Sequence, residues 1–345
     1  MTLPDSSTGT QKSAPRLLER VRTELRLRHY SIRTERTYLS WIRRYVIHHG
    51  RRNPAQLGGA EVTAFLTCLV SERGVSASTQ NQARAALVFL YEHILLKPLE
   101  ETETPMPAKR PARLPVVLAK PETAALLSSM TGITKTMASL LYGSGLRLFE
   151  CLRLRVKDID FERQQIVVRD GKGRKDRVVP LPTCAIPSLH DQLDFARYQH
   201  EQDRSNGAGF VELPDALRLK YPNLSKEWPW QWVFPATRLY VDEKNGERRR
   251  HHLHETVLQR AVREAARSTG IVKHVSCHTL RHCFATDLLE AGYDIRTIQE
   301  LLGHASVTTT MIYTHVLQRG ALGVRSPLDG LGLEPMHRTR PLTKE

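Results

Sequence analysis

The sequence predicts a mainly α-helical protein with a small β-sheet: an N-terminal helical bundle followed by a larger α+β domain. Three observations predict this. Apolar residues recur at helical spacing along roughly the first ninety residues. A proline-rich basic stretch then interrupts any helix. Beyond it, helical patterns resume around one pair of β-branched runs joined by a polar turn.

Residues 1–14 are polar, rich in Ser, Thr and Pro, and are expected to form a flexible tail. Residues 15–97 carry four helical patterns. Leu17, Leu18, Val21 and Leu25 mark the first, and Tyr38, Trp41, Ile42, Tyr45 and Val46 the second. Val62, Phe65, Leu66 and Leu69 mark the third, and Ala83, Ala86, Leu87, Leu90 and Tyr91 the fourth. Gly50 to Pro54 and Gly74 separate them. Residues 98–115 contain Pro98, Pro105, Pro107, Pro111 and Pro115 together with Lys109, Arg110 and Arg113, which predicts a stiff, basic linker able to follow a phosphate backbone.

Residues 116–345 form the second domain. Pro121-Glu122 suits a first helical turn. A helix ends at Gly143-Ser144-Gly145, and another runs from Arg147 to Leu154. Ile166 to Arg169 and Arg177 to Leu181 read as strands joined by the turn Asp170–Asp176. Helices follow at Leu189–Tyr198, His254–Ser268, Leu280–Ala291 and Asp294–Leu301.

Composition restricts the function. Lys and Arg number 51 against 36 Asp and Glu, a formal charge of +15, which calls for a polyanionic partner such as nucleic acid. A membrane surface has only that charge in its favour: no apolar run approaches the roughly 18 residues of a spanning helix, and no lipidation motif or signal peptide is present. A cytoplasmic protein is expected. Cys68, Cys151, Cys184, Cys277 and Cys283 lack paired spacing, as suits a reducing compartment. Cys277, His278, His282 and Cys283 crowd too closely for the separated ligand pairs of a zinc site, so no metal is expected. No nucleotide-binding glycine motif and no internal repeat occurs, and no cofactor is expected.

The most informative stretch holds His278, Arg281, His304 and Tyr313. His278 and Arg281 lie three apart on one helical face, His304 follows a glycine turn, and Tyr313 lies nine residues later. Upstream, Arg147 follows the break at Gly145, and Gly171-Lys172-Gly173-Arg174-Lys175 presents Lys172 at a hairpin tip. Together these are a kit for attacking a phosphodiester with tyrosine and without metal. Two guanidiniums neutralise the non-bridging oxygens, a lysine protonates the leaving alkoxide, histidines move protons, and a phenol supplies the nucleophile. Any one of these residues alone would be an ordinary surface cation or packed aromatic; it is their joint order that is specific.

In that order the chain resembles the tyrosine recombinases of the phage integrase family over nearly its whole length. The resemblance implies an N-terminal core-binding domain and a catalytic domain in which Arg147, Lys172, His278, Arg281 and His304 activate the scissile phosphate. Tyr313 would form a 3′-phosphotyrosyl bond, and Glu150, one turn after Arg147, would support the site. Leu148-Phe149 and Cys283 stand where other members often carry Ile-Ser and Ser, beside catalytic positions.

A narrower resemblance lies in an insertion at about 203–252, holding Leu213 to Leu217, Lys220-Tyr221-Pro222, Trp228 to Pro235 and Arg248 to His252. It is similar to the insertion of integron integrases, which act on folded single-stranded cassette sites as well as on duplex. Aromatics there could stack on unpaired bases at roughly 1–3 kcal/mol each; equally, the tryptophans could fill a small satellite core. The resemblance implies Trp228, His251 and His252 as contacts to extrahelical bases, with Arg174 and Lys175 on DNA. It also implies a tetramer on two DNA sites, a monomer when free, and docking of the segment after Tyr313 on a neighbour. A type IB topoisomerase and a non-enzymatic DNA-binding protein are the competing classes.

Overall fold

The computed structural model describes residues 17–99, 115–169, 176–243 and 245–314. Contacts divide the chain into two compact units, Met1–Ala112 and Arg113–Glu345.

The first unit contains α1 (Leu17–Leu27), α2 (Ile32–His48), α3 (Gly59–Ser71) and α4 (Ala77–Phe89), the last running into a π-helical turn at Leu90–Ile94. Ser31 and Ser76 start α2 and α4 by accepting the amides of Thr34 and Thr79, which satisfies donors that a helix start leaves free. The helices bury Val21, Leu25, Ile42, Leu66 and Leu87 completely or nearly so. Within that core Tyr45 and Tyr91 pair their hydroxyls at 2.9 Å, and Tyr91 also donates to the Pro54 carbonyl, so neither buried phenol lacks a partner.

The second unit opens with α5 (Lys120–Ser129), α6 (Gly132–Gly143) and α7 (Leu148–Leu152). A three-stranded antiparallel sheet follows: β1 (Ile159–Asp160), β2 (Gln165–Val168) and β3 (Arg177–Pro180), with Ile166 opposite Val179 and Val168 opposite Arg177. Then come α8 (Ile186–Ser205), α9 (Asp215–Lys220), β4 (Pro235–Val241) and β5 (Arg248–His252). The unit continues with α10 (Glu255–Ser268), α11 (Cys277–Glu290), α12 (Ile295–Leu302) and α13 (Val307–Met311). Leu140, Leu141, Leu146, Leu152, Phe234, Leu258 and Leu280 form its core, with α6 packed on α11.

Two elements depart from the single two-stranded sheet expected. The two-residue strand β1 is too short to leave a periodic signal. The second departure is a separate antiparallel sheet, β4–β5, inside the insertion. Its strand β5 is Arg248-Arg249-Arg250-His251-His252, a run that strand propensity would not select. Ion pairs explain it. Arg249 is 5% exposed and held by Asp242 at 2.8 Å and Glu247 at 2.6 Å, while Arg250 is 8% exposed and grips Asp203 of α8 with two bonds of 2.6 and 2.7 Å. The charges are buried in pairs, which binds the insertion to α8.

Asp203→Ala strands Arg250 without its carboxylate, a loss of about 3 kcal/mol or more. The melting temperature should fall by about 6 °C or more, with amide protection lost first in β4 and β5. An unchanged melt and exchange pattern would contradict the role given to this pair.

Candidate active site

Two glycine turns shape the site. Gly145 ends α6 with φ +63°, and a Cβ there would overlap the Phe284 ring, so only glycine brings this loop against α11. Gly303 ends α12 in the left-handed conformation with φ +59°. The carbonyls at these turns receive the two arginines. Arg281, 1% exposed, donates to the carbonyls of Gly145 and Leu302, and its Nη2 lies 3.4 Å from Nε2 of His304. Arg147 donates to the Gly303 carbonyl at 3.0 Å.

Glu150 lies beneath both. Its carboxylate accepts from the Arg147 amide at 2.8 Å and the Arg147 guanidinium at 2.6 Å. It takes two further bonds from Arg177 at 2.6 and 3.0 Å, and Nη1 of Arg281 is 3.7 Å away. Burial alone would push this carboxyl up; hydrogen bonds and charge from Arg177, helped by Arg147, pull it down to about 2. Arg177 also donates to the Leu301 carbonyl at 2.8 Å, tying β3 to the end of α12.

His304 is held from several sides: its Nδ1 lies 2.9 Å from the Thr310 hydroxyl, its amide donates to Gln299, and Gln299 returns a bond to its carbonyl. His278 keeps an edge exposed to solvent; burial of the rest, then the charges of Arg281 and Arg147, lower its pKa. Tyr313 is 2% exposed, its ring nearly parallel to that of His304 at 6.4 Å, and its hydroxyl lies 3.0 Å from Nδ1 of His282. Burial raises the phenol's pKa, opposed by Arg281 and Arg147. Burial, then His278 and Arg281, lower His282 to about 4, so it is neutral near pH 7.

Arg147, His278, Arg281, His304, Tyr313 and Glu150 therefore share one neighbourhood. Lys172, Arg174 and Lys175 lie outside the described residues. Arg177, His282 and Thr310 belong to the site but were not singled out from sequence. Arg177 read as the first residue of a strand, and His282 as a neighbour of the Arg281 motif, although its place one turn after His278 already put it on the motif's helix.

A cleft of about 630 Å³ runs from Arg147, Phe149 and Glu150 to Trp230, Trp232 and His251. Trp232 is 6% exposed and packs with Val211 and Leu213 in a satellite core, the Arg155 guanidinium 3.9 Å from its ring centre. Trp230 is half-buried, with the Lys157 ammonium 2.8 Å from its ring centre. Burial, then the charge of Arg169, lowers Lys157 to about 8. Trp228 packs instead against Arg197 and His200 and does not line the cleft. His251 is half-exposed, but His252 is 6% exposed, beneath Trp232 and Phe149, and burial lowers it to about 4. His252 nonetheless lines the cleft beside His251, whose ring centre is 4.0 Å away.

Comparison with known proteins gives the family and the fold. The model of the phage integrase family matches residues 117–319, and that of the phage integrase N-terminal SAM-like domain matches residues 17–101. An integrase/recombinase of Escherichia coli is 49% identical, covering 92% of this chain and 94% of its own length. The tyrosine recombinase XerA of Thermococcus onnurineus is 34% identical over 87% of this chain and 90% of its own. Two solved structures share the fold. XerH recombinase bound to palindromic difH substrate has a TM-score of 0.57 at 23% identity, covering 88% of this chain and 81% of that one. A lambda integrase dimer bound to a COC′ core site has 0.58 at 18%, covering 86% and 93%.

Glu150→Gln removes the carboxylate that binds Arg147 and Arg177 beside the buried Arg281 and should cost about 3 kcal/mol at pH 7. Because the folded-state pKa is depressed, that stability is complete above about 4.5 and fades as pH falls toward 2. Denaturant midpoints of the two proteins should therefore converge across that window; a gap independent of pH would refute the ionic origin.

Proposed function

The chain belongs to the phage integrase family of tyrosine recombinases, and from that membership we propose that it is an integron-type integrase, inserting and removing gene cassettes at attachment sites. The supporting observation is the convergence of Arg147, Arg281, His304 and Tyr313 on the Gly145 and Gly303 turns. A guanidinium has five donors, so anchoring Arg281 on two carbonyls leaves others for the non-bridging oxygens of a phosphodiester. In this reading Arg147 and Arg281 neutralise the charge that develops in the transition state, with no metal. His278 and His304 donate hydrogen bonds to the phosphate. Tyr313 attacks phosphorus, the 5′ oxygen leaves with a proton from Lys172, and a 3′-phosphotyrosyl bond stores the energy for rejoining. A partner strand's 5′-hydroxyl then resolves the intermediate. Since Arg281 and Tyr313 are both buried, the α13 segment must shift to admit the phosphate.

The cleft supports the finer reading. Its 630 Å³ falls within the usual range of ligand sites, and its walls combine the Trp230 ring, the half-exposed His251 and the cations Arg155 and Lys157. Those are the means of holding a base turned out of a folded single strand: stacking on one side, backbone charge on the other. We assign the cleft to such a base. Trp228, covered by Arg197, is proposed as a second stacking surface, reached when Arg197 leaves its ring. Arg174 and Lys175 are proposed on the DNA backbone. Four protomers would assemble on two sites, with the segment after Tyr313 docking on a neighbour.

The test uses nicked duplex and hairpin DNAs carrying integron attachment sites. The wild-type protein should form a denaturation-resistant adduct, and Tyr313→Phe should form none. An adduct that survives in the variant, or no wild-type adduct with any site, sinks the proposal. Relaxation of supercoiled plasmid without site exchange would favour a type IB topoisomerase.

Hairpin affinity should also depend on pH. The protonated form of Lys157 holds the DNA and its pKa is lowered to about 8, so binding should weaken by about fivefold as pH rises from 7 to 9. Lys157→Gln should flatten that slope while leaving duplex binding as it was. A hairpin profile identical in the two proteins would remove Lys157 from the base site.

A further inference from the structure

We propose that His282 is the base that takes the proton of Tyr313 during cleavage and returns it during rejoining, an inference that rests on the recombinase reading above. The carrying observation is geometric: the phenol oxygen lies 3.0 Å from Nδ1 of His282, within reach for direct transfer. α11 arranges this by spacing. His282 follows Arg281 directly and stands one turn after His278, so Arg281 reaches the Gly145 and Leu302 carbonyls while His282 reaches the tyrosine.

The other imidazoles are differently engaged. Nδ1 of His304 is 2.9 Å from Thr310 and its Nε2 faces Arg281, while its ring stacks along the tyrosine instead of meeting the hydroxyl. The His278 ring lies edge-on to that of His282 at 5.1 Å, and the hydroxyl of Tyr313 meets His282.

The direction of the bond follows from the two charge states. Both partners are neutral near pH 7, and between a phenol and an imidazole the hydroxyl is the better donor and the ring nitrogen the better acceptor. Tyr313 therefore donates to Nδ1, and the ring proton of His282 is on Nε2. That is a nucleophile already bonded to its base.

Burial first, and then the groups facing the pair, disfavour proton transfer in the free protein. His278 and Arg281 on α11, Arg147 before α7, and His304 before α13 supply positive or potentially positive charge, which opposes an imidazolium. A phosphodiester between the two arginines adds one negative charge at that place and raises the proton affinity of His282. The base is switched on by its own substrate.

The step balances. The Tyr313 O–H bond breaks and its proton forms an N–H bond at Nδ1. The phenolate oxygen bonds to phosphorus as the P–O5′ bond breaks, and the 5′ oxygen leaves as the hydroxyl with the proton that Lys172 supplies. In rejoining, the imidazolium returns its proton to the departing phenolate.

The experiment measures single-turnover adduct formation by the full chain on nicked attachment-site DNA, with site binding followed in parallel. His282→Asn keeps an acceptor near the Nδ1 position but cannot take a proton. Adduct formation should slow about 100-fold, and its rise with pH should disappear. Added imidazole should partly restore His282→Ala. A substrate with sulfur at the 5′ bridging position loses its leaving group without protonation, so the His282→Asn defect should persist on it. A wild-type rate for His282→Asn, or repair of its defect by the sulfur substrate, overturns the proposal and leaves the recombinase reading standing; absence of any wild-type adduct brings down both. Should the variants misfold, ¹⁵N-histidine spectra of the wild-type protein decide, since a proton on Nδ1 of His282 in the free protein refutes the assigned direction.

Discussion

The carboxylate of Glu150 is the constraint on which the catalytic unit depends. Arg147, Arg177 and Arg281 approach one another beneath the Gly145 and Gly303 turns, and three guanidiniums gathered where water is partly excluded would repel one another. One carboxylate, bonded twice to Arg177, bonded to the Arg147 guanidinium and amide, and 3.7 Å from Arg281, makes the cluster tolerable. It does so without satisfying it: the cluster keeps a net positive charge that a phosphate can match. A second carboxylate would have stabilised the free protein at the expense of that attraction. On the proposed reading, stability and affinity for the scissile phosphate are set by the same oxygens.

Glu150 also explains how distant parts of the sequence meet. Arg177 begins β3 and bridges Glu150 on α7 to the Leu301 carbonyl on α12. Arg147 reaches the Gly303 carbonyl, and Arg281 ties α11 to both glycine turns. Strand, three helices and two turns are cross-linked through guanidiniums in addition to the apolar cores they share. Such links are directional, so they fix orientation where a hydrophobic contact would allow sliding.

Much of this was legible in the chain itself. Helical periodicity gave the N-terminal helices because each buries one apolar stripe, and the joint order of Arg147, Arg281, His304 and Tyr313 indicated phosphodiester chemistry because few reactions need two arginines beside a phenol. The rest was hidden for physical reasons. β5 is a run of cations, and only the distant carboxylates Asp203, Asp242 and Glu247 turn it into a strand. Trp228, Trp230 and Trp232 alternate with Pro and Gln and look equivalent in sequence. Yet Trp232 fills the satellite core, Trp230 faces the cleft under Lys157, and Trp228 packs under Arg197. Their roles depend on which cation covers each ring, a long-range fact that spacing does not encode.

The buried tyrosine completes the argument about charge. A nucleophile left exposed among cations would invite attack on any passing phosphate; here the phenol is packed beside His304 and bonded to a neutral imidazole. Burial raises its pKa against the opposing pull of Arg281 and Arg147, so the hydroxyl keeps its proton near pH 7. Burial, then the charges of His278 and Arg281, hold His282 unprotonated as well. In the mechanism proposed above, one event changes all three conditions: a phosphodiester would neutralise the arginines, open the packing around Tyr313 and make its departing proton welcome on a neighbouring base. On that reading, restraint in the absence of DNA follows from a single deficit of negative charge, which Glu150 reduces but does not remove.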